Sequence, residues 1–351
     1  MDKKINILVS DSVTLLKEMI AIPSPSFNEG EVCSHICKWL TSKGVEHERV
    51  GNNIIAEHVT DPTNPTLMLC AHIDTVSPCE GYSFDPYMPV NSPEGVIQGL
   101  GSNDDGASVV SMIAAYRYYT GTLNLTLVLT CEEERSGKDG MTGLWGNRLN
   151  RIDYAIVGEP TRMKAATSER GLLVIDATAH GVSGHAARNE GKNALYIALE
   201  DIEKLRRHEF TKVSPKMGKV NLNVTQISAG SAHNVIPDRC DFVIDIRPTE
   251  QYSNEEILHE LQEICESELK PRNLANRSSA THEGSILQKT AEEMDIETFS
   301  SATTSDWMRI TCDAIKMGPG DSNRSHRKDE YVTVQEIENG IRTYIEFIER
   351  L

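Results

Sequence analysis

Several features that define other classes of protein are missing from this sequence of 351 residues. No segment approaches the roughly 20 consecutive apolar residues that a membrane-spanning helix needs. The first residues lack a long apolar segment with a small-residue cleavage site, so no secretory signal is predicted. The eight cysteines are scattered, apart from Cys33 and Cys37 on a predicted helix. This distribution predicts reduced, mostly buried thiols in a cytoplasmic protein rather than disulfides or a thiolate metal site.

The sequence also has fewer basic than acidic residues. The sequence has 35 Lys and Arg residues against 52 Asp and Glu residues, which gives a formal net charge of −17. We therefore expect neither nucleic acid nor an anionic membrane as a partner. The charge does not identify a substrate, because a solvated acidic surface explains it equally well.

The first half of the chain alternates helices and apolar strands. At this length we expect two domains, or one large domain with an insertion. The hydrophobic pattern predicts strands at 53–58, 67–72, 123–130 and 153–157, and helices at 11–19, 29–43 and 107–119. Because these strands are apolar almost throughout, we predict an α/β structure whose sheet is covered on both faces.

The region 167–275 has a different pattern. It contains strands at 172–179, 219–227 and 239–246, helices at 194–208 and 254–269, and then a possible last strand. This β-α-β-β-α-β order predicts a ferredoxin-like α+β module inserted into another domain. The chain then returns to α/β character and closes with a helix at 334–351. We therefore predict one domain of residues 1–166 plus 276–351 and an inserted domain of residues 167–275.

Side chains that can bind metals follow three of the predicted strands. His72 and Asp74 end the strand at 67–72, the three glutamates at 132–134 follow the strand at 123–130, and Glu159 follows the strand at 153–157. Binding sites in open α/β sheets form at the carboxyl ends of the strands. Each pattern alone is usually structural, and a run of glutamates is usually solvated. Together, these carboxylates need a counter-charge, which a divalent cation supplies.

Two further motifs extend this set. Asp104 and Asp105 lie in a glycine-rich turn, which taken alone is usually only a turn. His326 lies in a long polar loop before the final helix, where a histidine is ordinarily a surface residue. With the residues at the strand ends, they predict a metal site.

As a set, these motifs resemble the M20 family of dinuclear-zinc amidohydrolases and metallopeptidases, and within it the acetylornithine deacetylase and succinyl-diaminopimelate desuccinylase branch. The resemblance covers essentially the whole chain. Its motifs are His-x-Asp-Thr-Val at 72–76, Gly-x-Gly-x-x-Asp at 99–104, Gly-Glu-Pro-Thr at 158–161, Gly-x-x-Gly-His-Ala-Ala at 181–187, Asn-Val-Ile-Pro at 234–237 and Ser-His-x-x-Asp-Glu-Tyr at 325–331. It implies a zinc-peptidase-like catalytic domain, with a mixed, mostly parallel sheet between helices, and an inserted ferredoxin-like dimerisation (lid) domain.

The resemblance also implies a centre of two zinc ions, for which cobalt or manganese can substitute. One zinc would be bound by His72 and Glu159, and the other by Glu134 and His326. Asp104 would bridge both ions, and a cis peptide bond is expected between Asp104 and Asp105. Asp74 would hydrogen-bond His72 and fix its tautomer.

Catalytic and substrate-binding roles follow from the same resemblance. Glu133 would be the general base, which takes a proton from water and passes it to the departing amine. His185 would stabilise the oxyanion in the site of the other subunit, so a homodimer is implied. Asn234, Arg247, Gly318 and Gly320 would bind the substrate. Read singly, these four positions also suit a turn asparagine, a surface salt bridge and a tight turn.

Two questions stay open at the level of sequence. The glutamates can be shifted by one position, with Glu132 as base and Glu133 as ligand, although the family pattern of a preceding acidic residue favours the first register. The favoured substrate is an N-acyl amino acid, such as N-acetyl- or N-succinyl-ornithine in arginine biosynthesis. Succinyl-diaminopimelate or a peptide is the alternative.

The deacetylase and desuccinylase branch commonly has Met-Lys-Gly after the bridging Asp, whereas this chain has Asp105-Gly106-Ala107, which is closer to M28 aminopeptidases. A metal-free binding protein is disfavoured, because every expected ligand position is occupied.

Overall fold

The computed structural model describes residues 2–91, 95–188 and 190–351. The described residues form the following α-helices: α1 (Asp2–Ile20), α2 (Gly30–Ser42), α3 (Gly106–Tyr118), α4 (Met141–Leu144), α5 (Ala194–Arg207), α6 (Asn254–Ile264), α7 (Ile286–Glu293) and α8 (Val334–Arg350). Short 3₁₀ helices are found at Glu133–Arg135, Ala186–Arg188, Asp306–Arg309 and Ser322–Arg324.

The same residues form these β-strands: β1 (Glu48–Val50), β2 (Asn53–His58), β3 (Thr66–His72), β4 (Val90–Asn91), β5 (Val96–Gln98), β6 (Asn124–Thr130), β7 (Tyr154–Val157), β8 (Ala165–Glu169), β9 (Leu173–His180), β10 (Gly184–His185), β11 (Asn221–Ala229), β12 (Val235–Ile236), β13 (Arg239–Arg247), β14 (Glu268–Pro271), β15 (Ser279–Ala280), β16 (Thr298–Ser301), β17 (Asp313–Lys316) and β18 (Tyr331–Thr333).

The chain divides into two compact units. The first unit comprises Met1–Thr167, Ala280–Phe299 and Ser305–Leu351, and the second comprises Ser168–Ser279 and Ser300–Thr304. The first unit is therefore assembled from segments on either side of Ser168–Ser279, the main segment of the second unit.

The first unit contains a mixed sheet with parallel strands at its centre. Its strand order runs β1-β2-β6-β3-β7-β17-β8. Strand β3 pairs in parallel with β6 and β7, and β17 pairs in parallel with β7. Because parallel strands end at the same edge of a sheet, residues that follow β3, β6 and β7 are brought together. The predicted α/β class is confirmed.

Side chains of β3 alternate between two hydrophobic cores. Leu67 and Leu69 pack into a core shared with residues of α1, α2, α3 and α8. Met68 and Cys70 pack into a second core with residues of α4 and Trp307. Since both faces of the strand are covered, every residue from Leu67 to His72 is buried. This explains why the strand is apolar throughout rather than alternating.

The second unit has the predicted ferredoxin-like topology. Its sheet has the order β11-β13-β9-β14, and all three pairings are antiparallel. Helices α5 and α6 follow the first and third strands, which gives the expected β-α-β-β-α-β order.

Two predicted helices differ from the structure by more than one residue at an end. Helix α1 begins at Asp2 rather than at residue 11, since Ile5 and Leu8 continue its buried face. Helix α6 ends at Ile264 rather than at residue 269. There the carboxylate of Asp201 accepts hydrogen bonds from the backbone N–H groups of Glu266 (3.1 Å) and Ser267 (2.8 Å). These amides are thereby withdrawn from the helical pattern.

All eight cysteines are free thiols. Of the helices in the described part of the chain, none has both the length and the apolar character that crossing a bilayer requires.

Candidate metal centre

His72 is the last residue of β3 and is buried. Its Nδ1 atom lies 3.0 Å from the backbone oxygen of Asp74 and 3.4 Å from Asp74 Oδ1. Its Nε2 atom lies 3.3 Å from Asp104 Oδ1. Burial lowers the pKa of His72, but the hydrogen bonds to Asp104 and Asp74 outweigh it and hold the pKa well above its ordinary value. Asp74 therefore orients the ring so that Nε2 faces the other carboxylates.

Asp104 lies between the two predicted histidine ligands. Its Oδ1 atom faces His72, and its Oδ2 atom lies 3.7 Å from Nε2 of His326. The peptide bond between Asp104 and Asp105 is cis, as expected from the resemblance. The two carboxylate oxygens thus face different histidines, which is the arrangement that a bridging ligand needs.

Glu330 and Asn103 fix the turn that carries Asp104. The buried carboxylate of Glu330 accepts hydrogen bonds from the backbone N–H groups of Asn103 (2.9 Å), Asp104 (2.9 Å) and Gly101 (3.1 Å). The side chain of Asn103 binds the backbone N–H and oxygen of Asp321. These residues connect the Asp104 turn to the loop that carries His326. Neither was predicted as a site residue, although Glu330 stands within the Asp-Glu-Tyr motif.

The three glutamates after β6 have different environments. Glu132 has left-handed backbone geometry (φ 61°), and its Oε2 atom accepts a hydrogen bond from the Asp139 backbone N–H at 3.1 Å. The backbone N–H groups of Glu133 and Glu134 donate to the carboxylate of Asp74 at 3.0 and 3.2 Å. The Glu132 side chain therefore forms a hydrogen bond within its own loop. Glu133 and Glu134 are held beside His72.

Glu133 and Glu134 lie among the predicted ligands. One metal-binding atom from each of His72, Glu133 and Glu159 lies within 4.8 Å of the others, and the same holds for His72, Asp104 and Glu134. The Oε2 atom of Glu134 is also 2.9 Å from Nε2 of His326. The structure therefore brings together His72, Asp104, Glu133, Glu134, Glu159 and His326.

Glu159 follows β7 and is packed closely against Gly318. A Cβ atom at position 318 would lie 2.5 Å from the backbone oxygen of Glu159 and 3.0 Å from its nitrogen. Gly320 has a φ of 86°, and a Cβ there would contact the side chain of Asn103. Both glycines therefore permit the loop after β17 to approach the candidate site.

The carboxylates of this site are crowded. Burial, followed by nearby Asp104, raises the pKa of Glu159 well above its ordinary value. Burial also raises the pKa of Glu134, although its hydrogen bond to His326 acts in the opposite direction. Divalent cations would offset this mutual repulsion. A donor set of histidine nitrogens and carboxylate oxygens suits zinc, and carboxylates also suit manganese. The residues present thus fit a metal centre.

Asp306 is a further buried acid of the first unit that the sequence did not single out. Its Oδ2 atom accepts a hydrogen bond at 2.7 Å from Oγ1 of Thr130, which lies two residues before the glutamate triplet. Burial raises the pKa of Asp306 to about 6. No sequence pattern that we recognised marks this position.

Three predicted site residues belong to the second unit. His185 is exposed, and its Nδ1 atom accepts the backbone N–H of Ala187 at 3.2 Å. Asn234 accepts the Ala186 backbone N–H through its own backbone oxygen at 3.0 Å. Arg247 makes a two-point ion pair with Asp245, with N–O distances of 2.8 and 3.1 Å. Their catalytic and substrate-binding roles stay predictions.

Comparisons with known proteins agree with this architecture. Residues 167–273 match the model of the M20 peptidase dimerisation domain, and residues 53–158 match the model of peptidase family M28. A succinyl-diaminopimelate desuccinylase from Xanthomonas campestris is 27% identical over 380 aligned residues, which cover 98% of this chain and 100% of that protein. The chain therefore carries a match to the M20 dimerisation domain and resembles M20 metallopeptidases over its length. It is a metal-dependent amidohydrolase.

Other proteins also resemble the chain over its length. An acetylornithine deacetylase from Proteus mirabilis is 26% identical, and the match covers 95% of both chains. The crystal structure of aminopeptidase PepT from Bacillus cereus superposes with a TM-score of 0.78 at 18% identity, over 97% of this chain and 98% of that chain. The YXEP protein from Bacillus subtilis, a dinuclear metal-binding M20 peptidase, has a TM-score of 0.73 at 15% identity, over 98% of this chain and 99% of its own. These two structures establish the shared fold.

Proposed function

We propose that this M20 enzyme hydrolyses the amide bond of an N-acyl amino acid and releases the carboxylate and the free amino acid. N-Acetyl- and N-succinyl-ornithine are the first substrates to test, which would place the reaction in arginine biosynthesis. The observation that carries the proposal is the position of Asp104 between His72 and His326, with Glu133 beside His72. The relatives named as a desuccinylase and a deacetylase support the choice of acyl group.

We further propose that the metals are two zinc ions, with cobalt or manganese as substitutes. His72 and Glu159 would hold one ion, Glu134 and His326 the other, and Asp104 both. The bound ions would supply Lewis-acid polarisation of the substrate carbonyl and a lowered pKa for the attacking water. The chain's own part is to hold five ligands at fixed positions and to keep their charges close together.

Glu133 is proposed to be the general base. The carboxylate of Asp74 accepts the backbone N–H of Glu133, and Oε2 of Glu133 lies 4.0 Å from Nε2 of His72. Burial raises the pKa of Glu133 well above its ordinary value. A carboxyl group with a raised pKa can accept a proton from water and later donate it to the departing amine.

The environment of Glu132 supports the first of the two registers for the glutamate triplet. Its carboxylate accepts the Asp139 backbone N–H, whereas Glu134 contacts His326. In the register shifted by one position, Glu132 would be the base, and its carboxylate would have to give up the hydrogen bond from the Asp139 backbone N–H. We therefore assign the base to Glu133 and the ligand to Glu134.

A homodimer formed through the inserted unit is part of the proposal. Strand β11 is an edge of its sheet, and Ile227 on that strand is 48% exposed. Tyr196 and Leu199 on α5 are 64% and 48% exposed. An unpaired strand edge beside exposed apolar side chains favours association with a second copy. In such a dimer, His185 would serve the partner's site, as the family resemblance implies.

A peptidase reaction at the same site is the second candidate. The residues after the bridging position, Asp105 and Gly106, depart from the deacylase branch, and the M28 peptidase model matches residues 53–158. Aminopeptidase PepT shares the fold over nearly the whole chain. The peptidase reaction differs from the proposed deacylation only in the substrate that the pocket accepts.

One panel of assays decides between these activities. The zinc-loaded and cobalt-loaded protein is incubated separately with N-acetylornithine, N-succinylornithine, succinyl-diaminopimelate, a dipeptide and a tripeptide, and release of the free amine is measured. Faster turnover of an acylated ornithine supports the proposal. Hydrolysis of peptides alone would assign the second candidate. The absence of hydrolysis with either metal would refute both.

A further inference from the structure

Glu29 is a fully buried carboxylate to which the proposed reaction gives no role. It is the N-cap residue of α2, but its side chain makes no capping hydrogen bond to that helix. Its Oε1 atom instead accepts the backbone N–H groups of Phe27 (2.6 Å) and Glu132 (3.2 Å). Its Oε2 atom accepts a hydrogen bond from Asn52 Nδ2 at 3.3 Å. The side chain thus connects the start of α2 to the glutamate triplet.

Glu132 is the point at which the chain turns from β6 towards the metal centre. Its left-handed backbone is uncommon for a residue that has a Cβ atom. The backbone N–H is held by Glu29, its backbone oxygen accepts the Gly137 N–H at 2.9 Å, and its carboxylate accepts the Asp139 N–H. The direction in which Glu133 and Glu134 leave the strand therefore depends on the anchoring of Glu132.

The segment before α2 is also bound to Asp74. Ser26 Oγ donates to Asp74 Oδ2 at 2.7 Å, and the Ser26 backbone N–H donates to the Thr75 oxygen at 3.2 Å. Asp74 and Glu29 together accept the N–H groups of all three consecutive glutamates. Two buried carboxylates therefore align the backbone of the triplet from the side of α2 and β3.

We propose that Glu29 is a positioning residue, which holds the Glu132 backbone so that Glu133 and Glu134 face the metal centre. The role given to Glu133 rests on the proposed function, whereas the anchoring of the turn does not. Without an acceptor at position 29, the buried Glu132 N–H loses its partner, and mutual repulsion of the carboxylates is free to rotate the turn. Outer residues that orient ligands typically change activity 10- to 100-fold when they are replaced.

Three variants at this position separate orientation from simple packing. Glu29→Gln keeps an oxygen that can accept both N–H groups, Glu29→Met fills a similar volume without an acceptor, and Glu29→Ala removes both. Glu31→Ala is the matched control, since Glu31 lies two residues further along α2 and is exposed. We expect kcat to fall roughly 10- to 100-fold in Glu29→Met and Glu29→Ala. We expect KM within about twofold of wild type in all variants, and Glu29→Gln within about threefold of the wild-type kcat.

Hydrogen–deuterium exchange on the metal-free protein tests the anchoring without any assay of activity. The Phe27 and Glu132 amides should exchange at least tenfold faster in Glu29→Met than in wild type, and at the wild-type rate in Glu31→Ala. Unchanged exchange at these amides would overturn the proposal, as would wild-type kcat in Glu29→Met. Equal acceleration across the whole first unit would also overturn it, because that result indicates general destabilisation.

The two proposals fail separately. If the wild-type protein hydrolyses no substrate in the panel while Glu29→Met still accelerates exchange at Glu132, the proposed function fails and the positioning role stands. If the wild type is active and Glu29→Met retains both its kcat and its exchange pattern, only the positioning role fails. If Glu29→Ala does not fold, Glu29→Met and Glu29→Gln carry the comparison.

Discussion

Nε2 of His326 lies 2.9 Å from Oε2 of Glu134, although the two residues are 192 positions apart in the chain. The first follows the inserted unit and the second precedes it. Their contact belongs to one half of the candidate metal centre. The sequence alone provided the least direct indication that these two residues meet.

Removal of either member of this pair should cost the protein one metal. Glu134→Ala and His326→Ala are each expected to retain about one divalent ion per chain after dialysis, against about two in wild type, because a three-ligand site tolerates the loss of one ligand poorly. Inductively coupled plasma mass spectrometry measures the stoichiometry. The exposed Glu31→Ala variant should keep the wild-type content. Two retained ions in both ligand variants would contradict the assignment.

Glu133→Gln should keep the metals and lose turnover. Removal of a general base lowers kcat by about 10²- to 10⁴-fold, whereas an amide at this position leaves the proposed ligands in place. The matched variant is Glu132→Gln, in which an amide oxygen can still accept the Asp139 N–H. It should retain activity within a few-fold of wild type. The opposite result, with Glu132→Gln inactive and Glu133→Gln depleted of metal, would establish the shifted register.

Metal binding should release protons near neutral pH. The hydrogen bond to Glu134 raises the pKa of His326 from 6.5 to about 9 in the metal-free protein, so the imidazole is protonated at pH 7.5. The stability that protonation of His326 contributes is therefore complete below about pH 6.5 and is lost as the pH rises through about 9. A metal ion competes with this proton, and metal affinity should rise with pH up to about 9.

Isothermal titration calorimetry in two buffers with different ionisation enthalpies measures that release. The apparent binding enthalpy at pH 7.5 should depend on the buffer, and it should do so less in His326→Ala. An enthalpy that is independent of buffer in the wild type would show that His326 is neutral before the metal binds.

Gly318→Ala should damage the site by overpacking. The added Cβ would contact Ser108 Oγ and the backbone of Glu159. Overpacking of this kind typically costs about 1–3 kcal/mol of stability, and displacement of Glu159 should weaken one metal position. Thermal unfolding and metal content measure the two effects. Gly30→Ala is the control, because its Cβ would lie 3.7 Å from Asn52 Oδ1 in ordinary contact. Equal unfolding temperatures for the two variants would contradict this account.

The sequence predicts those parts of the fold that depend on local patterns. The β2 strand has the predicted bounds of 53–58, because its apolar residues are contiguous and flanked by polar turns. The inserted topology was also predicted, because its hydrophobic periods alternate between strand and helix. The end of α6 was not predicted, because it depends on Asp201, a residue more than 60 positions earlier in the chain.

The candidate site shows the same division. His72, Asp104 and Glu159 stand in the motifs on which the resemblance rests, so their type and order predicted them, and the structure places them near one another. Glu29 and Glu330 act by accepting backbone N–H groups of distant turns. Such acceptors require no particular spacing to the residue that they hold, and periodicity or motif analysis therefore passes over them.

The position of β17 in the sheet has a consequence for synthesis on the ribosome. This strand pairs with β7 but is translated after the whole inserted unit, at Asp313–Lys316. A nascent chain that ends within the inserted unit therefore exposes an unpaired edge on β7 and lacks His326. Such an intermediate is open to pairing with other chains, and the inserted unit has to leave the ribosomal tunnel before the first unit can close its sheet.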